Sequence, residues 1–337
     1  MTPIIQKKEM TLEELKGKSF AVDGFIVLHE FLALIRDRLG RPLTDEHGNV
    51  TSHLVGLAFR TTRLISDYDM NLVFVFDGRP PTLKSLELAN RREARIKAEK
   101  EYQDAVMRGD VKETFSKAVM TGRLTTQSLD DTKQLLDLLG IPWVQAPSEG
   151  EAQAAYMAAN GSVWASNSKD YDSLLFGAPR LVRFLSISGQ EWLPSKKKSR
   201  KVLPELIELH RFLDYHCITR LQLIDMSILI GTDFNAGIKG IGSKTALKLI
   251  KKHGSLEELP EEIRSKLPDT TDQIRDIYLH PKVTDEYSVE RGELQEDALD
   301  DFLCGEKNFS TSRVQLVINR MRSKAVQKSL KDYLGVR

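Results

Sequence analysis

Asn71-Leu-Val-Phe-Val-Phe-Asp77 is a short apolar run, rich in β-branched and aromatic residues, that stops at an acid. At this length it reads as a strand buried on both faces. The design recurs at 18–23, where Ser19-Phe-Ala-Val-Asp23 also stops at an acid, and at 162–170, ending in Asp170. Between these runs the apolar spacing predicts helices over 26–39, 51–67, 83–107 and 128–139. Strand, helix, strand in this order implies an α/β fold with a mainly parallel sheet. In such sheets ligands bind beyond the carboxyl ends of the strands. Asp23, Asp77 and Asp170 are therefore expected at one edge.

Composition narrows the class. The chain has 337 residues, 41% hydrophobic and 29% charged, enough apolar material for a sizeable core. No apolar run is long enough to cross a bilayer, so no membrane role is expected. The two cysteines, Cys217 and Cys304, stand in no metal-ligand spacing, which argues against zinc and for a reducing compartment. A net charge of +1 neither demands nor forbids a nucleic-acid partner; the placement of the charges decides. The basic stretch Pro194–Lys201 reads as a surface loop and Ala325–Arg337 as a tail.

Seven carboxylates fall at strand ends or in loops: Asp23, Asp77, Glu149, Glu151, Asp170, Asp172 and Asp233. Singly, each has a structural explanation. Ser148-Glu-Gly-Glu151 fits a capping box ahead of a helix, and Asp170 fits an Asx-turn. Glu149 and Glu151 cannot share a helix face, since residues two apart differ by about 200°, so Glu149 is expected at the helix entry and Glu151 in its first turn. Asp170 and Asp172 share a face if the chain is extended there. Crowded together, seven acids would repel unless divalent cations lay among them. Hard oxygen donors suit Mg²⁺ or Mn²⁺. The number of acids suits two ions about 3.5–4 Å apart, an arrangement used in phosphodiester hydrolysis.

Two basic elements accompany the acids. Lys84 and Arg91 lie two turns apart on the helix that follows Asp77-Gly-Arg-Pro-Pro81, placed to clamp a phosphate near the ions. Gly231–Ile250 carries a glycine-rich turn and then an amphipathic helix. Gly240 and Gly242 expose backbone N–H groups at a helix start, and Lys239, Lys244 and Lys248 can follow a phosphate backbone. This pattern is similar to the helix–hairpin–helix class, which grips duplex DNA without reading sequence.

Ala21-Val-Asp23, Val75-Phe-Asp-Gly-x-Pro-Pro81, Ala146–Tyr156, Asp170–Gly177 and Gly231–Gly242 together resemble the flap endonuclease family of structure-specific 5′ nucleases, most of all its archaeal form. The resemblance covers nearly the whole chain in order. It implies a PIN-like nuclease core, a helical arch, and a helix–two-turn–helix module that binds duplex DNA and a K⁺ ion. The implied organisation is a nuclease region over 1–106 with the arch beginning near 82, the rest of the arch over 107–127, and a second nuclease region over 128–258. The helix–two-turn–helix lies at about 220–256 within it; a helical region over 259–324 and a clamp-binding tail over 325–337 follow. Asp23, Asp77, Glu149 and Glu151 match the ligands of a first Mg²⁺; Glu151, Asp170, Asp172 and Asp233 match those of a second. Lys84 and Arg91 match arch residues that contact the scissile phosphate. Thr51, Lys307, Phe309 and Arg313 match a pocket for a one-nucleotide 3′ flap.

The resemblance extends to the tail. Gln327, Leu330, Tyr333 and Leu334 fit a box that binds a sliding clamp of the PCNA type through a short 3₁₀-like turn, with Leu334 in place of a second aromatic. Three departures stand out. The family's Met-Gly start is absent, as if the chain began some residues late. His29 stands where a Tyr stacks on a base. Gly24 stands where Ala is usual and is expected to loosen the helix start. The implied activity is cleavage of 5′ flaps by a monomer in replication and base excision repair, in an archaeal cytoplasm or, in a eukaryote, the nucleus. The short arch segment argues against a bubble- or junction-cutting relative, and the seven acids argue against a non-catalytic DNA-binding scaffold.

Overall fold

A computed structural model describes residues 2–37, 41–108, 124–186, 189–193 and 198–334. Among these residues the main sheet has seven strands, side by side in the order Lys8–Glu9, Glu205–Glu208, Arg180–Arg183, Ala165–Asn167, Ser19–Asp23, Asn71–Phe76 and Trp143–Gln145. Five are parallel: β2 (Ser19–Asp23), β3 (Asn71–Phe76), β4 (Trp143–Gln145), β5 (Ala165–Asn167) and β6 (Arg180–Arg183). β9 (Glu205–Glu208) pairs antiparallel with β6, and β1 (Lys8–Glu9) antiparallel with β9 at the edge.

The two-residue alternation of β2 and β3 explains why helices cover both faces. Phe20, Val22, Leu72, Phe74 and Phe76 enter one core with Val27, Leu28 and Phe31 of the helix Gly24–Leu34. Ala21, Val73 and Val75 enter another with Ala154, Met157 and Ala158 of the helix Gly150–Ala159. Each of the larger side chains (Val, Leu, Phe and Met) contributes about 1.5–3 kcal/mol when buried, so neither face tolerates charge. After each apolar run the next polar position is at the carboxyl end, where Asp23 closes β2 and Asp77 follows β3.

A third core belongs to the second half of the chain. Phe212, Ile224, Ile228, Ala246, Ile250 and Tyr278 join the helices Leu209–His216, Arg220–Ile230, Ser243–His253 and Thr271–Leu279. Between the second and third of these helices the chain doubles back at Gly231 (φ 111°) and Gly237 (φ 70°). A Cβ at Gly237 would lie 2.3 Å from the Ile230 carbonyl, so only glycine closes this turn.

Several expectations are corrected. The first helix stops at Leu34, with the Ile35 N–H bonded to Phe31 O, rather than running to 39; residues 38–40 lie outside the described set. The third strand is only Ala165–Asn167, so Asp170 follows three residues later on a bend. The basic stretch Pro194–Lys201 is not all loop. Lys198–Val202 pairs antiparallel with Gly189–Leu193, while 194–197 lie outside the described residues. The segment expected to form an arch begins with the helix Ser85–Met107, and most of its remainder, 109–123, also lies outside the described residues. The tail is not a short turn: Gln327, Leu330, Tyr333 and Leu334 belong to the helix Thr311–Leu334, anchored upstream by buried Val314, Val317, Ile318 and Met321. Gly24 opens a regularly capped helix. Asp23 caps the start, and a Cβ at Gly24 would lie 2.6 Å from the Phe76 ring.

Candidate active site

Two helix starts fix the first two acids. Asp23 Oδ1 accepts from Ile26 N at 2.9 Å, capping its own helix. Asp77 Oδ1 accepts from Gly150 N at 2.6 Å, reaching the first residue of a different helix. Each carboxylate spends one oxygen on the positive end of a helix and keeps one beyond it. Glycine at 150 leaves room for this contact, because a Cβ there would lie 2.8 Å from the Asp77 oxygen and force the carboxylate to shift. The capping box expected of Ser148 and Glu151 does not form. Asp77 has taken that helix end, Glu149 is the N-cap residue, and Ser148 Oγ donates to Arg79 O at 3.2 Å.

The other acids arrive from separate elements. Asp170 and Asp172 are not on an extended chain: Asp170 lies in a bend and Asp172 opens the short helix Asp172–Leu175. Asp233 sits in the glycine-bounded loop after Ile230, steadied by Phe234 N donating to Thr232 Oγ1 at 3.1 Å. All seven acids line one cavity of about 770 Å³, together with Lys84, Arg91 and His29.

The electrostatics of this cavity are those of crowded like charge. Burial, then Asp77 and Asp170, push the Asp23 carboxyl up to about 8. Burial, then Asp233 and Asp170, push Asp172 up to about 7. Burial, Asp172 and Asp23 raise Glu151 well above the carboxylate range, and its Oε1 is buried without a hydrogen-bond partner among the described residues. Burial raises Glu149 too, against the pull of Lys84. The Lys84 ammonium pairs with Glu149 and lies 3.1 Å from Asp233 Oδ2. Arg91 donates to both Asp233 oxygens at 3.2 and 3.3 Å and pairs with Glu87 one turn back.

The donor chemistry fits hard divalent cations: carboxylate oxygens, an orphaned buried oxygen, and carboxyls held above their usual range by burial and by one another. Among the described residues, no three His, Cys, Asp or Glu side chains form a ready metal-binding group. The acids line the cavity from several sides, and the cation between Glu149 and Asp233 is Lys84.

The remaining candidates lie elsewhere. Lys239, Lys244 and Lys248 are exposed along the hairpin, with Gly240 at φ 90° and Gly242 as N-cap of Ser243–His253. Phe309 stacks on Phe59 with ring centroids 6.4 Å apart, and Arg313 lies 4.5 Å over the same ring. Lys307 is buried and pairs with Asp131 at 2.7 Å; Thr51 is buried as well. Sequence reasoning missed Glu87, although its four-residue spacing from Arg91 was a usable signal. It also missed Tyr278, a fully buried residue whose hydroxyl is raised by burial and then by Asp172 and Asp233; nothing in its local sequence marks it.

Comparison with known proteins identifies the family. The XPG N-terminal domain matches residues 1–98 and the XPG I-region residues 140–233. Between them these regions contain all seven acids, Lys84 and Arg91. Flap endonuclease 1 of Ignicoccus hospitalis is 45% identical over 315 residues, spanning 94% of this chain and 90% of that protein. That of Thermococcus onnurineus is 45% identical over 340 residues, spanning 99% and 98%. The chain belongs to the flap endonuclease family. The solved flap endonuclease-1 from Methanococcus jannaschii superposes with a TM-score of 0.76 at 36% identity, covering 97% of this chain and 98% of that one. The catalytic core of Rad2 in complex with DNA substrate shares the fold, with a TM-score of 0.68 at 21% identity. Flap endonucleases depend on divalent metal, which accords with the acid-lined cavity. No helix among the described residues is long and apolar enough to cross a membrane.

Proposed function

We propose that the chain is a structure-specific 5′ flap endonuclease with 5′→3′ exonuclease activity, hydrolysing one phosphodiester with two Mg²⁺ ions, for which Mn²⁺ can substitute. One observation carries this reading: a single cavity gathers seven acids from separate elements and two basic side chains from the root of the arch. Asp23, Asp77, Glu149 and Glu151 would hold the first ion, and Glu151, Asp170, Asp172 and Asp233 the second. Bound there, the ions activate a water and neutralise charge on the leaving oxygen.

The chain's own groups do the rest. Lys84 and Arg91 hold the non-bridging oxygens of the scissile phosphate, Arg91 by its fork and Lys84 as a point charge. His29, at the cavity wall, stacks on the base beside the cut. Unpairing that terminal base pair costs a few kcal/mol, met by contacts elsewhere on the duplex. Lys239, Gly240, Gly242, Lys244 and Lys248 hold the downstream backbone, with a K⁺ ion in the same module. Thr51, Lys307, Phe309 and Arg313 receive a one-nucleotide 3′ flap. Gln327, Leu330, Tyr333 and Leu334 engage a PCNA-type sliding clamp. The enzyme works as a monomer in the cytoplasm, maturing Okazaki fragments and serving base excision repair.

The test compares end-labelled 5′-flap, bubble and blunt duplexes with Mg²⁺ and with EDTA. The reading predicts fast flap cutting, slow blunt-end cutting, little bubble cutting and none in EDTA. Equal rates on all three, or cleavage that survives EDTA, would contradict it.

A further inference from the structure

Lys84 stands on a single 3₁₀ turn, Thr82–Lys84, between the Pro80-Pro81 corner and the helix Ser85–Met107. Its ammonium meets Glu149 Oε2 and Asp233 Oδ2. These carboxylates come from separate elements, one at the entry of Gly150–Ala159 and one in the glycine-bounded loop at the hairpin. The Lys84 side chain is 11% exposed, so water screens the contacts weakly. Arg91 holds Asp233 from the next turns of the same element and has a second anchor in Glu87.

A divalent ion bound by carboxylates needs their lone pairs at about 2.0–2.6 Å. Asp233 Oδ2 already meets both Lys84 and Arg91, and a further cation at such range is repelled by the ammonium. Building on the reading of these acids as metal ligands, we infer that Lys84 and a divalent ion compete for Glu149 Oε2 and Asp233 Oδ2. Ion binding then expels Lys84, so loading the cavity and freeing the lysine for the DNA phosphate are one event. The short turn suits this role, because the side chain can swing without remodelling a packed helix. An ion-poor enzyme keeps its lysine internally paired, and an ion-loaded one presents it.

The experiment uses the full chain without DNA. Mn²⁺ affinity is read from the free-ion EPR signal, and melting is followed in EDTA and in saturating Mn²⁺, for wild type, Lys84→Gln and Lys84→Arg. Lys84→Gln should bind Mn²⁺ roughly tenfold tighter, the loss of one like-charge contact at short range. It should also melt lower in EDTA and regain wild-type stability in Mn²⁺. Lys84→Arg, which keeps the charge, should stay near wild-type affinity. Unchanged or weaker binding by Lys84→Gln would overturn the competition while leaving the acids as ligands. Failure of the wild type to bind Mn²⁺ would overturn the ligand reading and the competition together.

Discussion

Gly150 carries more of the site than its lack of a side chain suggests. It lets Asp77 reach a helix N-terminus from the neighbouring strand, at 2.6 Å. Alanine there would set a Cβ 2.8 Å from the carboxylate oxygen, which must then retreat. Misplacing a catalytic group by about 1 Å costs on the order of 100-fold in rate. Gly150→Ala should therefore lose roughly that factor in single-turnover flap cleavage while its melting temperature shifts by only a few degrees. A rate within about twofold of wild type would show that Asp77 does not need this position. This contact also marks where sequence reading stops. Asp23 and Asp77 were legible as acids ending apolar runs. The bond from Asp77 to a backbone 73 positions on was not, since only the sheet register brings them together. Ser148 and Glu151 misled for the same reason: a local capping pattern was present, and a distant side chain had already taken the helix end.

At the level of elements, the acids are gathered by joints between helices and strands, and one further joint has a measurable consequence. His53, in the helix Ser52–Gly56, is fully buried near Asp131 and Ser128 of the helix Thr126–Leu138 and near Lys307. Burial lowers its pKa to about 4, against the opposing pull of Asp131. The folded imidazole is neutral, whereas the unfolded one takes a proton near pH 6.5. The joint's contribution is therefore complete above pH 6.5 and is lost as pH falls toward 4, because the unfolded chain binds the extra proton. Wild type should lose more of its urea midpoint between pH 7 and pH 4.5 than His53→Gln does. Parallel curves would mean His53 is not held neutral by the fold. Helix and strand existence was readable here from periodicity, as at 71–77 and 128–139. What was not readable is which short segments bend. Asp170 and Asp172 would share a face on an extended chain, but they straddle a bend and a helix start. The tail was expected as a turn and is part of one long helix.

For the whole molecule, the central feature is convergence from a distance. Asp23 and Asp233 belong to opposite ends of the nuclease region, yet they face the same cavity. The parallel sheet brings in the first acids, and the glycine turn at Gly231 and Gly237 brings in the last. Family motifs made this set legible before any coordinates, but not its electrostatic state: Asp23 near 8, Asp172 near 7, and a lysine bridging two of the acids. Such a cavity is costly to keep without cations, and two divalent ions would relieve it. The most direct test is anomalous scattering at the manganese edge from crystals grown with Mn²⁺ and a cleaved 5′-flap duplex. Two peaks about 4 Å apart, one near Asp23 and Asp77 and one near Asp172 and Asp233, are the predicted result. A cavity without peaks, or manganese bound only outside the seven acids, would contradict the account.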